Sequence, residues 1–482
     1  MSILVIDLGS TSVRAALVDG AGRLHHEHRV ATPLDAAVRG LAEFDPVAVA
    51  AAARDAAESC LAAASGGVEA VGIANQRAST VLWNRRSGEP LGPGLGWQDL
   101  RTALDCLELQ SEGLRLAPNQ PATKAAHLIA AAGDVPAGQL CVGTLDSWLV
   151  WTLTGGAHHV TDATNAAVTG LVHHDRVAWD PQVVERLGIP PESLPEITDS
   201  SGTVAPESLL PGRPPITGLV GDQQAALVGA GRVRPGDVKI TFGTGGMLDV
   251  CLGPEADAPP FAPRGPNGTF PIVAWQEAGR PAWGIEAMML SAGSSVDWLC
   301  ELGLLEHPAA SHPVAAGCDD TGGVMFVPAP LGLGTPLWDF GARSAFVGMT
   351  TATTRAQLVR AVLEGVAHRG ADLLEAAQAD SGHDLAEPVI DGGMSNNPTF
   401  TQALADAAGR PVRVAAETEC TALGAAYLAG LATGTWRDWP EVASLRPPRA
   451  TYHPRREPDR ERWREATERA AAWHPDLSSV SF

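Results

Sequence analysis

Between the apolar runs at residues 3–6 and 13–18 stand Asp7, Gly9, Ser10, Thr11 and Ser12, where a plain core hairpin needs only a turn. A glycine beside hydroxyls in such a turn offers backbone N–H and O–H donors to phosphate oxygens with no Cβ in the way. The pattern returns at 237–250, DVKITFGTGGMLDV. Set against VIDLGSTSVRAAL, Ile240 falls on Ile6, Thr241 on Asp7, Gly243 on Gly9 and Thr244 on Ser10. A third turn, Asp391-Gly392-Gly393, follows the apolar residues 388–390. One glycine turn is explained by hairpin geometry alone. Two equivalent hydroxyl-bearing turns and a third DGG turn point to phosphate.

Lysine usage narrows the kind of phosphate site. Lys124 and Lys239 are the only lysines, and neither follows the G-x-x-x-x-G spacing of a P-loop. The strand lysine, H-R-D loop and D-F-G of a protein kinase are also missing. A nucleotide here would be held by hydroxyls, backbone amides, arginine and a metal ion. Asp7 would stand near the metal on one side of a cleft, and the 243–246 turn on the other.

The elements that must position these turns read as follows. Residues 3–30 form a β-meander with turns at Gly9 and at 19–22. Asp45-Pro46 opens an Ala-rich helix over 45–64, the aspartate as cap and the proline at the first helical position. A buried strand at 68–74 ends in Asn75-Gln76-Arg77. The second half repeats the order: hairpin at 237–250, long helix at 354–379, buried strand at 388–390 ending in DGG. This ordered series predicts an internally duplicated α/β chain with mixed sheets and a boundary near 230. The expected division is 1–230, 231–445 and a tail at 446–482, with a charged, solvated helix over 448–470.

The bulk properties agree with that division. At 482 residues the chain exceeds one hydrophobic core. Apolar content of 45% with 18% charged residues suits a folded chain. A formal net charge of -21 argues against nucleic acid as a partner, and makes a neutral substrate easier to attract than an anionic one. The seven cysteines include no C-x-x-C pair, the pattern of free thiols in a reducing compartment. With no secretory signal and no run of ~18 apolar residues, the chain reads as cytoplasmic and without a membrane partner. A homodimer is left open. The histidines at 25–28, 158–159 and 173–174 lack zinc spacing.

Taken together, IDLGSTSVRA (6–15), GIANQR (72–77), GTLDSWLVWTLTGG with HVTDATNA (143–166), GDQQAAL (221–227), FGTGGML (242–248), PAPLGLGTPLWDFGARSAFVG (328–348), DGGMSNN (391–397) and TALGAAYLAGLATGTW (421–436) resemble the FGGY carbohydrate kinases, glycerol-kinase-like members most closely. The stretches run in family order from about residue 3 to 440. The resemblance implies two duplicated actin/hexokinase/Hsp70-like (ribonuclease H-like) domains with a cleft between them. The first domain, 1–230, would hold the polyol or sugar, the catalytic aspartate and the magnesium site, and the second, 231–445, would bind ATP. It implies ATP and Mg2+ as cofactors and a small polyol or sugar as acceptor. Asp222 matches the catalytic aspartate, the general base. Asp7, with Asp222, matches the magnesium site. Thr11, Ser12 and Arg14 fall where the family contacts ATP phosphates or organises that turn, and Gly243 and Thr244 would meet phosphate from the other domain. Gly393 would lie against the adenosine with Asn396 or Asn397. Arg77 would donate to polyol hydroxyls, Trp97 would pack on the carbon chain, and Gln223 follows the base.

The match breaks at the acceptor pocket. The glutamate that follows NQR in glycerol kinases is Ala78 here, and two aromatic positions become Asn119 and Leu290. A lost acceptor opposite a hydroxyl costs ~1–3 kcal/mol, so the expectation is a polyol or sugar kinase not optimised for glycerol. The alternatives are a diverged glycerol kinase and, from another class, a non-catalytic ATP-binding module of the actin type. The loop that binds an allosteric sugar bisphosphate has no counterpart in 206–218, so no such regulation is expected.

Overall fold

The continuous apolar run at the N-terminus becomes a strand covered on both faces. In a computed structural model that describes residues 2–36, 38, 40–64, 66–259, 263–417 and 419–480, β1 (Ser2–Leu8) pairs antiparallel with β2 (Ser12–Asp19), which pairs with β3 (Leu24–Ala31). Parallel to β1 lies β4 (Val68–Asn75). Side chains alternate across a strand, so Leu4, Ile6 and Leu8 pack beneath α1 (Pro46–Ala63), while Ile3 and Val5 join a core on the opposite face. Helix α1 starts as predicted: the Asp45 side chain accepts from the Val47 N–H at 2.8 Å with Pro46 at the first position.

These strands belong to one sheet of thirteen. The others are β5 (Ser201–Ala205), β6 (Ile216–Gly221), β7 (Val238–Phe242), β8 (Gly246–Gly253), β9 (Phe270–Glu277), β10 (Arg280–Met289), β11 (Val389–Asp391), β12 (Val412–Val414) and β13 (Ala450–Tyr452). The spatial order is β13-β12-β11-β7-β8-β10-β9-β5-β6-β4-β1-β2-β3. The duplication is visible in the pairing. β1 forms a hairpin with β2 and runs parallel to β4, which runs parallel to β6; β7 forms a hairpin with β8 and runs parallel to β11, which runs parallel to β12.

Two helices meet where the halves join, α2 (Asp222–Gly229) and α6 (Cys420–Thr433). They approach through glycine: a Cβ on Gly424 would stand 1.8 Å from the Ala225 carbonyl oxygen, and one on Gly229 would stand 1.9 Å from that of Cys420. Three further helices flank the second half, α3 (Gly293–Glu301), α4 (Arg355–Ser381) and α5 (Pro398–Ala408). A four-stranded sheet of Glu43–Phe44, Gly94–Leu95, Thr80–Asn84 and Leu140–Thr144 stands beside the first half and carries the segments around Ala78 and Trp97. No helix among the described residues is long and apolar enough to cross a membrane.

The tail departs from its expected solvated form. β13 extends the large sheet, and α7 (Arg460–Ala470) buries Trp463, Ala466 and Ala470 in a shared cluster with Val327, Ala329, Leu333 and Ala342. Trp463 stacks on His368 with ring centroids 4.9 Å apart, and its Nε1 donates to Asp372 at 3.1 Å. The high charge concealed a narrow apolar stripe at i, i+3 and i+7, enough to seat one face of a helix.

Candidate active site

Strands β1, β4 and β6 end side by side, with Leu8 opposite Asn75 and Asn75 opposite Gly221. That register brings Asp7, Arg77 and Asp222 to one edge. Asp222 opens α2; its Oδ1 accepts from the Gln223 N–H at 2.8 Å and lies 3.6 Å from Arg77 Nε. Burial pushes its pKa up to about 6, against the pull of Arg77, with the Asp7 charge adding to the rise. Arg77 Nη2 lies 2.7 Å from Glu286 Oε2, while its Nη1 is buried without a partner among the described residues. Burial also raises Asp7, opposed by Arg14, whose Nη2 lies 2.8 Å away. Arg14 reaches Glu419 with its other nitrogen, so it bridges the two halves and organises the turn.

A polar layer fixes this edge from behind. Thr164 Oγ1 accepts from the Gly221 N–H at 2.8 Å and donates to Asp162 at 2.9 Å. The amides of Asn75 and Asn165 pair reciprocally at 2.9 Å, and Asn75 also holds the Gln76 carbonyl. The HVTDATNA stretch therefore sets where Arg77 and Asp222 stand.

The residues expected at the acceptor follow. Ala78 is buried at φ +66°, a left-handed conformation costing about 1 kcal/mol for a residue with a Cβ. Trp97 is 43% exposed, and its Nε1 donates to Ser10 Oγ at 3.2 Å. The buried Lys124 Nζ donates to the carbonyls of Gly96 (2.7 Å), Trp97 (3.2 Å) and Asn119 (3.4 Å), tying two wall segments together. Asn119 is exposed and Leu290 half-buried. Gln223 leaves a buried Oε1 without a donor among the described residues.

The glycine turns of the second half form a separate group. The Gly243 and Thr244 carbonyls accept from the Gly293 and Ala292 N–H groups, both at 2.8 Å, seating the turn at the start of α3. Thr241 stands opposite Asp391, so the DGG turn lies beside it. Gly392 needs its φ of +81°, because a Cβ there would meet the Phe242 carbonyl at 2.5 Å, and Gly393 faces open space. Asn397 is spent on capping α5, accepting from the Phe400 N–H at 3.1 Å and donating to Ser311 at 2.9 Å. Asn396 is exposed and accepts from Arg449 at 2.6 Å. The Thr11 and Thr244 side chains are exposed and that of Ser12 half-buried. The two groups are joined by Glu286, on the strand leading to Leu290, and by the Arg14–Glu419 pair.

The residues fit a magnesium nucleotide. Asp7 and Asp222 are hard oxygen donors whose partly desolvated charge a cation would offset. Among the described residues no cluster of three His, Cys, Asp or Glu side chains could enclose a metal, so water and phosphate would complete the coordination. Glu286, Asp249 and Lys124 escape motif reading. The sequence does hold a signal for the first two: a single carboxylate inside each of the apolar strands GMLDVCLG and RPAWGIEAMM.

Known proteins resemble this chain over most of its length. Profiles of the FGGY family of carbohydrate kinases match its N-terminal domain at residues 2–229 and its C-terminal domain at 238–433. A glycerol kinase of Gloeobacter violaceus is 38% identical over 459 residues, 92% of this chain and 91% of that one. A glycerol kinase of Thermus brockianus is 39% identical over 499 residues, 98% and 99% of the two chains. The structure of Plasmodium falciparum glycerol kinase with ADP superposes with a TM-score of 0.89 at 27% identity, over 100% of this chain and 99% of that one. With both of its domains matched in order, the chain belongs to the FGGY family of carbohydrate kinases.

Proposed function

We propose that this kinase transfers the γ-phosphoryl group of ATP to a hydroxyl of a small polyol, with Asp222 as general base. The observation that carries the reading is a half-buried carboxylate at the start of α2, raised to about 6 and set 3.6 Å from an arginine with a donor unpaired among the described residues. Phosphoryl transfer asks the protein for in-line positioning and charge stabilisation rather than covalent chemistry. Arg77 Nη1 would donate to one acceptor hydroxyl and Trp97 would cover the carbon chain. Asp222 would take the proton of the attacking hydroxyl as the new P–O bond forms and the bond to ADP breaks. The Gly243–Thr244 and Gly392–Gly393 turns would hold phosphates, and Asp7 would hold magnesium through water. A bound magnesium ion would supply neutralisation of charge on the phosphates.

Glycerol is the first acceptor to consider, because relatives 36–39% identical carry the name glycerol kinase. A second reading, an acceptor other than glycerol, rests on Ala78, which offers no carboxylate to a hydroxyl, and on Asn119 and Leu290, which put no ring at their two positions. ATP-dependent phosphorylation of glycerol, erythritol, D-xylulose and D-gluconate separates the two. Glycerol leading by kcat/KM establishes the first reading, another acceptor leading establishes the second, and turnover of none sinks both.

A further inference from the structure

One face of the second half's sheet carries a line of charge through apolar strands. Lys239 of β7 stands opposite Asp249 of β8, and Asp249 stands opposite Glu286 of β10. Directly opposed residues in an antiparallel ladder share a face, with Cβ atoms about 5 Å apart. The alternate residues Ile240, Leu248, Val250, Ile285 and Ala287 point the other way, into the core of that half. Asp249 is 0% exposed and Glu286 5%. The ends of the line are matched: Lys239 Nζ lies 3.0 Å from Asp391 Oδ1, and Glu286 Oε2 lies 2.7 Å from Arg77 Nη2. Asp249 has no cation of its own, and neither of its oxygens has a donor among the described residues. What faces it is the Glu286 carboxyl. Two buried carboxylates in contact repel, and a single proton between them turns the contact into a hydrogen bond.

We propose that Asp249 is a positioning residue of the acceptor site: it shares one proton with Glu286, and the protonated pair holds Arg77 at the pocket with Nη1 left for the acceptor hydroxyl. The proposal rests on the polyol kinase reading. Burial, then the Glu286 charge, holds the Asp249 carboxyl well above the usual range, against Arg77 and Lys239. The groups facing the dyad are Arg77 beyond β4, Lys239 of β7 with Asp391 of β11 and Cys420 of α6 behind it, and Asp222 of α2 through Arg77. Loss of the shared proton makes Asp249 a second, deeper counter-ion that draws Arg77 out of the pocket. Acceptor KM then rises at alkaline pH while kcat is retained.

The test compares wild type, Asp249→Asn and Asp249→Leu with Mg–ATP and the best acceptor of the panel above. Wild type is expected to show a KM rise of about tenfold per pH unit on the alkaline side. Asp249→Asn, which mimics the protonated form, is expected to lose that rise at unchanged kcat, and Asp249→Leu to have a raised KM at every pH. An alkaline limb kept in Asp249→Asn, or a loss confined to kcat, overturns the proposal. The proton itself is read without turnover. The infrared C=O band of a protonated carboxyl should be present in wild type at neutral pH and absent from Asp249→Asn. The native state keeps a proton that the unfolded chain releases, so wild type should lose stability relative to Asp249→Asn as pH rises from about 5 to 8. A missing band with a pH-independent difference overturns the proposal alone. An enzyme inactive on every acceptor but showing the band overturns the functional reading and the role of Asp249 with it, leaving the shared proton established.

Discussion

A side chain that must take a proton from an alcohol works best with a pKa near the working pH, and an ordinary aspartate lies well below it. Burial of Asp222 closes part of the gap by raising it to about 6, while Arg77 limits the rise. As the proposed base, Asp222 would act in its ionised form, which dominates above that value. The acceptor kcat/KM is therefore expected to be level at neutral pH and to fall about tenfold per unit below about 6. Asp222→Asn should lose at least ~10² in turnover with Mg–ATP affinity intact, as single-turnover assays and titration calorimetry would show. The same raised pKa costs native stability: the unfolded chain gives up this proton between about 4 and 6 while the native state keeps it. Asp222→Asn should accordingly melt higher than wild type at pH 7 and show no advantage at pH 4. Retained turnover in the variant would remove Asp222 as the base.

Among the elements, α2 and α6 carry the tightest constraint. Asp222 is the first residue of α2, and α6 lies so close that Gly424 meets the Ala225 backbone where any side chain would go. A methyl group at 424 must push the helices apart or distort one of them. Overpacking of this kind costs about 3 kcal/mol, so Gly424→Ala should lower the denaturant midpoint and, by displacing α2, reduce kcat as well. An unchanged midpoint would mean that the halves separate freely at this contact. The glycines of GDQQAALVG and TALGAAYLAG stood in the sequence, but their purpose did not, since a small residue in a helix takes meaning only from the helix opposite. The hairpins, α1 and the DGG strand were readable because periodicity and caps are local. Tertiary pairing alone shows that Asn397 is consumed as a helix cap, that Arg14 is shared between Asp7 and Glu419, and that Trp463 gives a charged tail a buried face.

Across the whole molecule, duplication could be read from the order of motifs, whereas the joining of both halves into one thirteen-stranded sheet through β9, β5 and β6 could not. The charge balance could be counted, but not its distribution. With 55 acidic and 34 basic side chains the chain is strongly negative, and the cations at the site are already matched: Arg14 by Asp7 and Glu419, Arg77 by Glu286 and Asp222, Lys239 by Asp391. A nucleotide would therefore approach against the long-range field, and on the proposed reading its phosphates would be met by turn amides and hydroxyls that act only at contact. The Debye length shrinks from about 30 Å at 0.01 M salt to about 8 Å at 0.15 M, which removes the repulsion at a distance and leaves the contacts. The kcat/KM for Mg–ATP is accordingly expected to rise over that range at fixed free magnesium, while kcat/KM for a neutral polyol stays level. A fall for the nucleotide would instead reveal an attractive cationic surface around the cleft, and a parallel change for the polyol would place the salt effect on the fold rather than on capture.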